Sequence, residues 1–277
     1  MRTIDARRRH ERRRALRASL IAAVSTVVVV GGLAWVVGNA PGWPVVQKSF
    51  FDGAIFARSL PGLVRAFEDN LRLILVAEVL VLVVGLFIAV LRSLPGPVFF
   101  PLRVMATIYA DIFRAVPGIL VIFLIGFGVA GLGYIDPKTD KLWFGVAALT
   151  LVYSAYVSEV YRAGIDSIHP SQDAAARSLG MTRLQSLRHV VIPQAVRRVI
   201  PPLLNDFIGL QKDTVLVSFI GLVEIFRQAQ VQQGAAFNFT PYTAVALVFI
   251  VITIPLTRLT DVLIARDRRQ AAAGGRR

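Results

Sequence analysis

Apolar residues along this chain come in long blocks, whereas an amphipathic helix of a soluble protein repeats them every three to four positions. A helix of about 20 predominantly apolar residues crosses the hydrocarbon core of a bilayer. Such blocks predict five membrane-spanning helices: Leu20–Gly38, Leu71–Leu91, Asp111–Gly133, Leu142–Tyr161 and Tyr242–Ile264. We therefore expect an all-α, polytopic membrane protein.

A sixth span, Val199–Val223, is predicted less directly, because two short apolar pieces are separated there by Gln211-Lys212-Asp213. The first piece also contains Pro201, Pro202 and Asp206. Neither piece is long enough to cross alone. If the two pieces cross together, they form a broken helix, which a membrane tolerates only where it faces protein or a wet cavity.

The distribution of charge favours six spans. With six spans and an inside N-terminus, four segments are cytoplasmic and each has a net positive charge: 1–19, 92–103, 162–198 and 265–277. The opposite segments are neutral: 39–70, 134–141 and 224–240. Because positively charged loops stay inside, we expect both termini to be cytoplasmic, whereas five spans would place the C-terminal arginines outside.

The first span has an alternative interpretation as a signal peptide, since an arginine-rich segment precedes it and Gly38-Asn39-Ala40 resembles a cleavage site. Its apolar run exceeds the usual 7–15 residues of a signal sequence. We expect an uncleaved anchor over 20–38, an external loop over 39–70 and the main membrane domain over 71–264.

Composition excludes several functional classes. The net charge of +14 is spread over the tails and loops, and no soluble domain gathers it on one basic face, so we expect no nucleic-acid partner. The chain has no cysteine, and its three histidines have no ligand spacing, so we predict no metal site.

The predicted cytoplasmic loop 162–198 has the pattern of two short helices joined by a glycine. Pro170 suits the first turn of a helix, Asp173 and Arg177 are spaced to pair at i,i+4, and Gly180 suits its end. Thr182 and Gln185 then form a capping-box pattern for a second helix. We expect Pro193 to end that helix. An exposed alanine and leucine patch suits docking to a partner, although a helical connector lying on lipid headgroups remains an alternative.

This loop resembles the "EAA" signature of permease subunits in bacterial ATP-binding-cassette (ABC) importers, in particular the branch for polar amino acids. Four groups of residues match the family pattern in the same order along the chain. From the N-terminal side they are Asp111-Ile112-Phe113-Arg114 with Pro117; Glu159 with Arg162-Ala163-Gly164-Ile165; Ala175-Ala176 with Gly180 and Val190-Val191-Ile192-Pro193; and Asp206-Phe207 with Lys212-Asp213-Thr214. The resemblance covers roughly Leu71–Ile264 and implies a type I importer fold with a cytoplasmic coupling helix.

The resemblance implies a set of residues that dock the chain to a separate ATPase: Pro170, Asp173, Ala174, Ala175, Ala176, Arg177, Leu179 and Gly180. The family usually has a glutamate where this chain has Ala174, so Asp173 substitutes for it in part, or docking depends more on shape and apolar contact. The span over 20–38 also lies outside the five-helix core of the branch.

The chain has no Gly-x-x-x-x-Gly-Lys-Ser/Thr loop, so we expect it to be no enzyme and to carry no cofactor. The resemblance implies that ATP and Mg²⁺ bind partner ATPase subunits. It also implies a second permease chain, an external substrate-binding protein, an amino-acid substrate and the bacterial plasma membrane. A self-sufficient channel or ion-coupled carrier is the alternative, and a membrane-embedded enzyme lacks a credible catalytic set.

Ionisable residues inside the spans are candidates for the substrate pathway or a gate, because charge in a membrane usually faces a cavity or a partner. We expect two pairs at the cytoplasmic end, Asp111 with Arg114 and Glu159 with Arg162, either as local i,i+3 pairs or cross-linked as an inner gate. Lys212 and Asp213 interrupt the fifth span along the chain, 199–223, and are pathway candidates. Glu78 lacks a local partner, and Lys212 is predicted to pair with it.

Overall fold

The computed structural model describes residues 2–133, 136 and 139–274, with side chains over 17–133, 136 and 139–266. Parts of the predicted segments 1–19, 134–141 and 265–277 therefore lie outside the described residues. The described chain is helical, as expected, and divides into two compact units, Met1–Gly53 and Ala54–Arg277. Four of the described helices are long and apolar enough to cross a membrane, or up to six if each of two bent pairs is one span.

The first unit contains α1 (Arg2–Gly38) and α2 (Trp43–Phe50). The predicted anchor lies in the second part of α1, where Arg17–Gly38 has a mean hydropathy of 2.4. The side chains of this stretch are exposed throughout, as expected of a helix whose apolar surface meets lipid rather than protein.

The second unit is built around α3 (Gly53–Ser93), α6 (Lys141–Asp166) and α9 (Ile192–Asp213). Two glycines allow these helices to approach closely. A Cβ atom on Gly85 of α3 would lie 2.7 Å from Val157 Cγ1 of α6, and one on Gly164 of α6 would overlap Val199 Cγ1 of α9. Small residues at helix interfaces favour van der Waals packing inside a membrane.

The segment 39–70, predicted as an external loop, is largely helical, because it contains α2 and the start of α3, and its external position stays a prediction. Arginine and glutamate are good helix formers, so Arg65 and Glu68 do not end the helix. Hydropathy located the apolar part of α3 and missed the polar helix that precedes it.

The predicted third span over 111–133 is also wrong as a single helix. Helix α4 (Phe100–Ala115) ends before Pro117, and α5 (Gly118–Phe123) continues as a π-helix, Leu124–Val129. The two parts meet at 106°. Pro117 disfavours a helical conformation for the residue before it, and Val116 is extended, with ψ of 129°.

The fifth span along the chain, 199–223, is interrupted, as predicted, and its α-helix ends at Asp213, the last residue of Gln211-Lys212-Asp213. Helix α9 starts well before residue 199 and runs through Pro201 and Pro202 to Asp213, and a 3₁₀-helix, Thr214–Ile220, follows. Gly221 then takes a left-handed conformation with φ of 100°. The chain bends by 54° between this long helical stretch and α10 (Ile225–Ala236).

Helix α11 (Thr240–Gly274) contains the last predicted span and continues beyond it, so the segment 265–277 is helical at least to Gly274. A small apolar cluster joins this helix to α3 and α10 and consists of Leu63, Ile225, Ala229, Ala244 and Val245. The larger core lies among α3, α5, α6, α9 and the 3₁₀-helix.

Candidate functional site

The loop between α6 and α9 forms the two short helices that the sequence predicts. Helix α7 (Pro170–Ser178) has Pro170 in its first turn and is followed by Gly180 with φ of 88°. At α8 (Arg183–Ser186), Gln185 N donates to Thr182 Oγ1 at 3.3 Å, and Thr182 N donates to Gln185 Oε1 at 2.9 Å. The capping box is therefore confirmed.

The predicted helix end at Pro193 is wrong. Helix α8 continues through a π-helix, Leu187–Val191, directly into α9, and Pro193 lies in the first turn of α9. Proline lacks an N–H donor and its ring clashes with a carbonyl of the preceding turn. The wider π turn accommodates it without a break. The loop is thus joined to the fifth span by continuous helix.

Asp173 does not pair with Arg177 among the described residues, contrary to the prediction. Its Oδ1 accepts a hydrogen bond from Ser186 Oγ at 2.6 Å, and Ser186 is fully buried. A carboxylate that accepts a short hydrogen bond makes one of the stronger polar contacts in proteins. Asp173 therefore ties α7 to α8.

The outer surface of the loop carries most of the predicted docking residues. We call the exposed set the docking face, and it consists of Pro170, Ala174, Ala175, Arg177, Leu179 and Gly180. Leu179 is 83% exposed. Ala176 is buried and packs inward, so it does not lie on this exposed surface, and its predicted part in docking stays a prediction. A shallow cavity of about 520 Å³ lies along this surface, and Ala174, whose side chain is small, is one of its lining residues.

Glu159 on α6 is the centre of a cluster of arginines at the predicted cytoplasmic end. Arg92 Nη1 lies 2.5 Å from Glu159 Oε1, Arg114 Nη1 lies 3.2 Å from the same oxygen, and Arg162 Nη1 lies 3.5 Å from Oε2. The predicted Glu159–Arg162 pair is confirmed, and Arg114 cross-links to it. The described residues show no ion pair between Asp111 and Arg114; both residues are exposed, and Arg114 contacts Glu159 instead.

Sequence reasoning missed Arg92, the most buried member of this cluster, with a side chain 8% exposed. Arg92 lies in the last turn of α3, where a positive charge interacts favourably with the helix dipole. That position was visible in the sequence. Its contact with Glu159 joins residues far apart in the chain and required the packing of α3 against α6.

The structure places the pathway candidates Lys212 and Asp213 in different environments. Tyr153 of α6 donates its hydroxyl proton to Asp213 Oδ2 at 2.8 Å, whereas Lys212 is exposed. The described residues contain no Glu78–Lys212 ion pair, so that prediction is wrong. Glu78 and Asp206 are both half-buried, and two carboxylates repel each other rather than form a pair. Tyr153 is a further residue that the sequence did not single out.

A buried polar network was also missed. Asn70 of α3 donates through Nδ2 to Thr214 Oγ1 at 3.0 Å and to Glu224 Oε2 at 3.1 Å, and its Oδ1 accepts from Ile225 N at 3.1 Å. Glu224 caps α10 by accepting from Phe226 N and Arg227 N. Asn70, Thr214 and Glu224 are fully buried. The network fastens the bend at the end of the fifth span to α3.

The sequence matches one family model, the binding-protein-dependent transport system inner membrane component, over residues 79–269. The probable amino-acid permease protein YxeN of Bacillus subtilis is 33% identical over 211 residues, which cover 76% of this chain and 93% of the relative. The glutamate/aspartate import permease protein GltK of Escherichia coli O157:H7 is 37% identical over 65% of this chain and 81% of the relative.

Solved structures agree with these matches. The crystal structure of an amino acid ABC transporter with histidines superposes with a TM-score of 0.71 at 33% identity, covering 78% of this chain and 98% of the other. An inward-facing structure of the MetNI methionine ABC transporter superposes with a TM-score of 0.58 at 20% identity, covering 73% and 95%. The second match shows the similarity of fold alone.

Proposed function

Since the chain belongs to the family of inner-membrane components of binding-protein-dependent transport systems, we propose that it imports polar amino acids. It is a multi-pass permease subunit of an ABC importer and a transport component rather than an enzyme. The proposed substrate class rests on relatives named as glutamine, arginine, glutamate/aspartate and nopaline permeases.

The observation that carries the proposal is the loop formed by α7 and α8. Its docking face is exposed, small and apolar over Ala174 and Ala175, and it suits a groove on a partner. We take that partner to be a cytoplasmic ATPase subunit, which would bind ATP and Mg²⁺ on its own chain. The net positive charge of the cytoplasmic segments supports the same orientation, with both termini inside.

The helical continuity from α8 to α9 supplies a route for coupling. A displacement of the docking face would pass through the π-helix Leu187–Val191 into α9 without crossing a flexible loop. Helix α9 packs closely on α6, which carries both Glu159 and Tyr153. Movement of α9 would therefore change the arginine cluster at the inner end and the Tyr153–Asp213 contact deeper in the membrane.

Two further partners complete the proposed importer. A second permease chain, identical or related, would share one pathway with this chain. A substrate-binding protein would deliver the amino acid from outside. Neither Glu159 nor Asp213 would then act as a binding pocket alone, since the pathway would be lined from both chains.

The test is uptake of radiolabelled amino acids into proteoliposomes that hold the chain, its ATPase and ATP, with the binding protein outside. We expect uptake only when all three proteins and ATP are present. An exposed alanine on the predicted cytoplasmic part of α11, Ala265, provides a matched control for charge introduced on the docking face. Uptake by the purified chain alone would contradict the proposal and support the channel alternative.

A further inference from the structure

A groove between the end of α3 and the start of α4 shares Arg92 with the arginine cluster, but its other lining residues are not used by the proposed transport mechanism. It has a volume of about 350 Å³, and we call it the arginine groove; its lining residues are Arg92, Phe100, Arg103, Val104, Thr107 and Ile108. We propose that this groove binds the phosphate headgroup of an anionic phospholipid from the cytoplasmic leaflet.

Positive charge in the arginine groove exceeds the negative charge that faces it. Arg103 Nη1 donates to the carbonyl oxygens of Leu94 and Gly96, each at 2.7 Å, and these acceptors are neutral. No described carboxylate pairs with Arg103. Its partly exposed guanidinium has further N–H groups free of those two bonds, and a phosphate accepts such a fork of donors well.

Arg92 adds a second, more buried cation. Its Nη1 contacts Glu159, but that carboxylate also serves two other arginines, so it does not neutralise the cluster. The side chain of Arg92 is only 8% exposed, and its buried Nε atom has no hydrogen-bond partner. An unpartnered buried donor is costly, and an anion entering the groove would reduce that cost through its field or by direct contact.

The start of α4 contributes in the same direction. Phe99 precedes this 16-residue helix and supplies no side-chain cap. In the first turn of α4, Phe100 N already donates to Pro97 O at 3.0 Å and Pro101 has no N–H, so this helix end contributes mainly its partial positive charge, which favours phosphate. The groove thus combines two arginines with the positive end of a helix dipole.

The apolar part of the groove favours a lipid over free phosphate. Phe100, Val104 and Ile108 are spaced at four-residue intervals along α4 and form one exposed stripe that leads away from the arginines. An acyl chain would lie along this stripe. The volume lies near the lower end of that of ligand pockets, which suits a headgroup rather than a whole lipid.

The test measures the affinity of phosphatidylglycerol for the full-length chain in phosphatidylcholine nanodiscs by native mass spectrometry. We expect Arg103→Gln to weaken retention about tenfold, the effect of losing one charge-assisted contact. Retention of phosphatidylcholine should not change. The control is Arg258→Gln, because Arg258 is a well-exposed arginine near the predicted cytoplasmic end of α11 and should leave the affinity at the wild-type value.

A second variant keeps both arginines and fills the apolar stripe. Ile108→Trp should also lower phosphatidylglycerol retention.

Equal affinity of Arg103→Gln and the wild type would overturn the proposal, as would equal retention of the two lipids. Displacement by millimolar inorganic phosphate would assign the groove to free phosphate instead. Because the chain has no cysteine, a Val104→Cys variant that forms a disulfide between copies would show that a second copy covers the groove. None of these outcomes depends on transport activity.

Discussion

Arg92 and Glu159 join the predicted cytoplasmic ends of α3 and α6 through an N–O distance of 2.5 Å, with the arginine side chain almost entirely buried. Burial makes this contact different from the other two arginine contacts of Glu159, which are longer and more exposed. A charge that loses its partner inside a protein is strongly destabilising, whereas an exposed ion pair contributes little.

Glu159→Gln should therefore lower the free energy of unfolding by about 3 kcal/mol, since it leaves Arg92 buried without a counter-charge. The matched variant Arg162→Gln removes the longest contact of the cluster and should cost less than about 1 kcal/mol. Equilibrium unfolding in mixed detergent micelles measures both values. Similar losses in the two variants would mean that burial of Arg92 does not set the cost.

Ala175→Asp should uncouple ATP hydrolysis from uptake, because an unpaired carboxylate would be buried when the docking face meets its partner. The penalty of several kcal/mol corresponds to a loss of uptake of at least about tenfold. The measurement is uptake at matched amounts of assembled complex, with Ala265→Asp as the control. Normal assembly and pumping by Ala175→Asp would show that the docking face is assigned to the wrong surface.

Asp173 and Ser186 should be energetically coupled within the loop. A double-mutant cycle with Asp173→Asn and Ser186→Ala should give a coupling energy of about 1.5–3 kcal/mol, the usual range for a hydrogen bond to a charged group. ATPase affinity should fall to a similar extent in both single variants. If only Asp173→Asn weakened the ATPase contact, Asp173 would meet the partner directly, as a substitute for the missing signature glutamate.

Asn70→Leu should destabilise the bend at the end of the fifth span. It removes two donors and one acceptor and leaves Glu224 and Thr214 short of partners, at an expected cost of about 2–3 kcal/mol. Asn205→Leu is the control, because Asn205 is exposed on α9. Protease cleavage near Gly221 should become faster in Asn70→Leu alone. An unchanged cleavage rate would indicate that the network does not hold the bend.

Asp213 and Lys212 should differ in their effects on transport, although the sequence marked both as pathway residues. Asp213→Ala leaves the Tyr153 hydroxyl without its acceptor and should lower uptake about tenfold. Lys212→Ala, at an exposed position, should leave uptake within about twofold of the wild type. Uptake assays at normal complex levels measure both. Unchanged uptake in both variants would remove the two residues from the pathway.

Local chemistry made the loop between α6 and α9 predictable. The first turn at Pro170, the positive φ at Gly180 and the capping box of Thr182 and Gln185 each depend on residues within a few positions of one another. The membrane class was likewise readable, because the length of an apolar block is a property of the sequence alone. The predicted end at Pro193 failed because a π turn, which hydropathy does not report, absorbed the proline.

The residues of the candidate site required the tertiary structure. Arg92 lies 67 positions from Glu159, and Asn70 lies 154 positions from Glu224, so no local pattern connects them. Spacing along one helix predicted two local ion pairs, Asp111 with Arg114 and Asp173 with Arg177. In the structure, Arg114 contacts Glu159 and Asp173 accepts a hydrogen bond from Ser186, and both partners lie on neighbouring helices. The sequence by itself determined the membrane class, the family signature and the form of the loop. Only the packing of α3, α6 and α9 decided which charges meet, because the energy of a buried polar contact depends on distances that the folded chain alone sets.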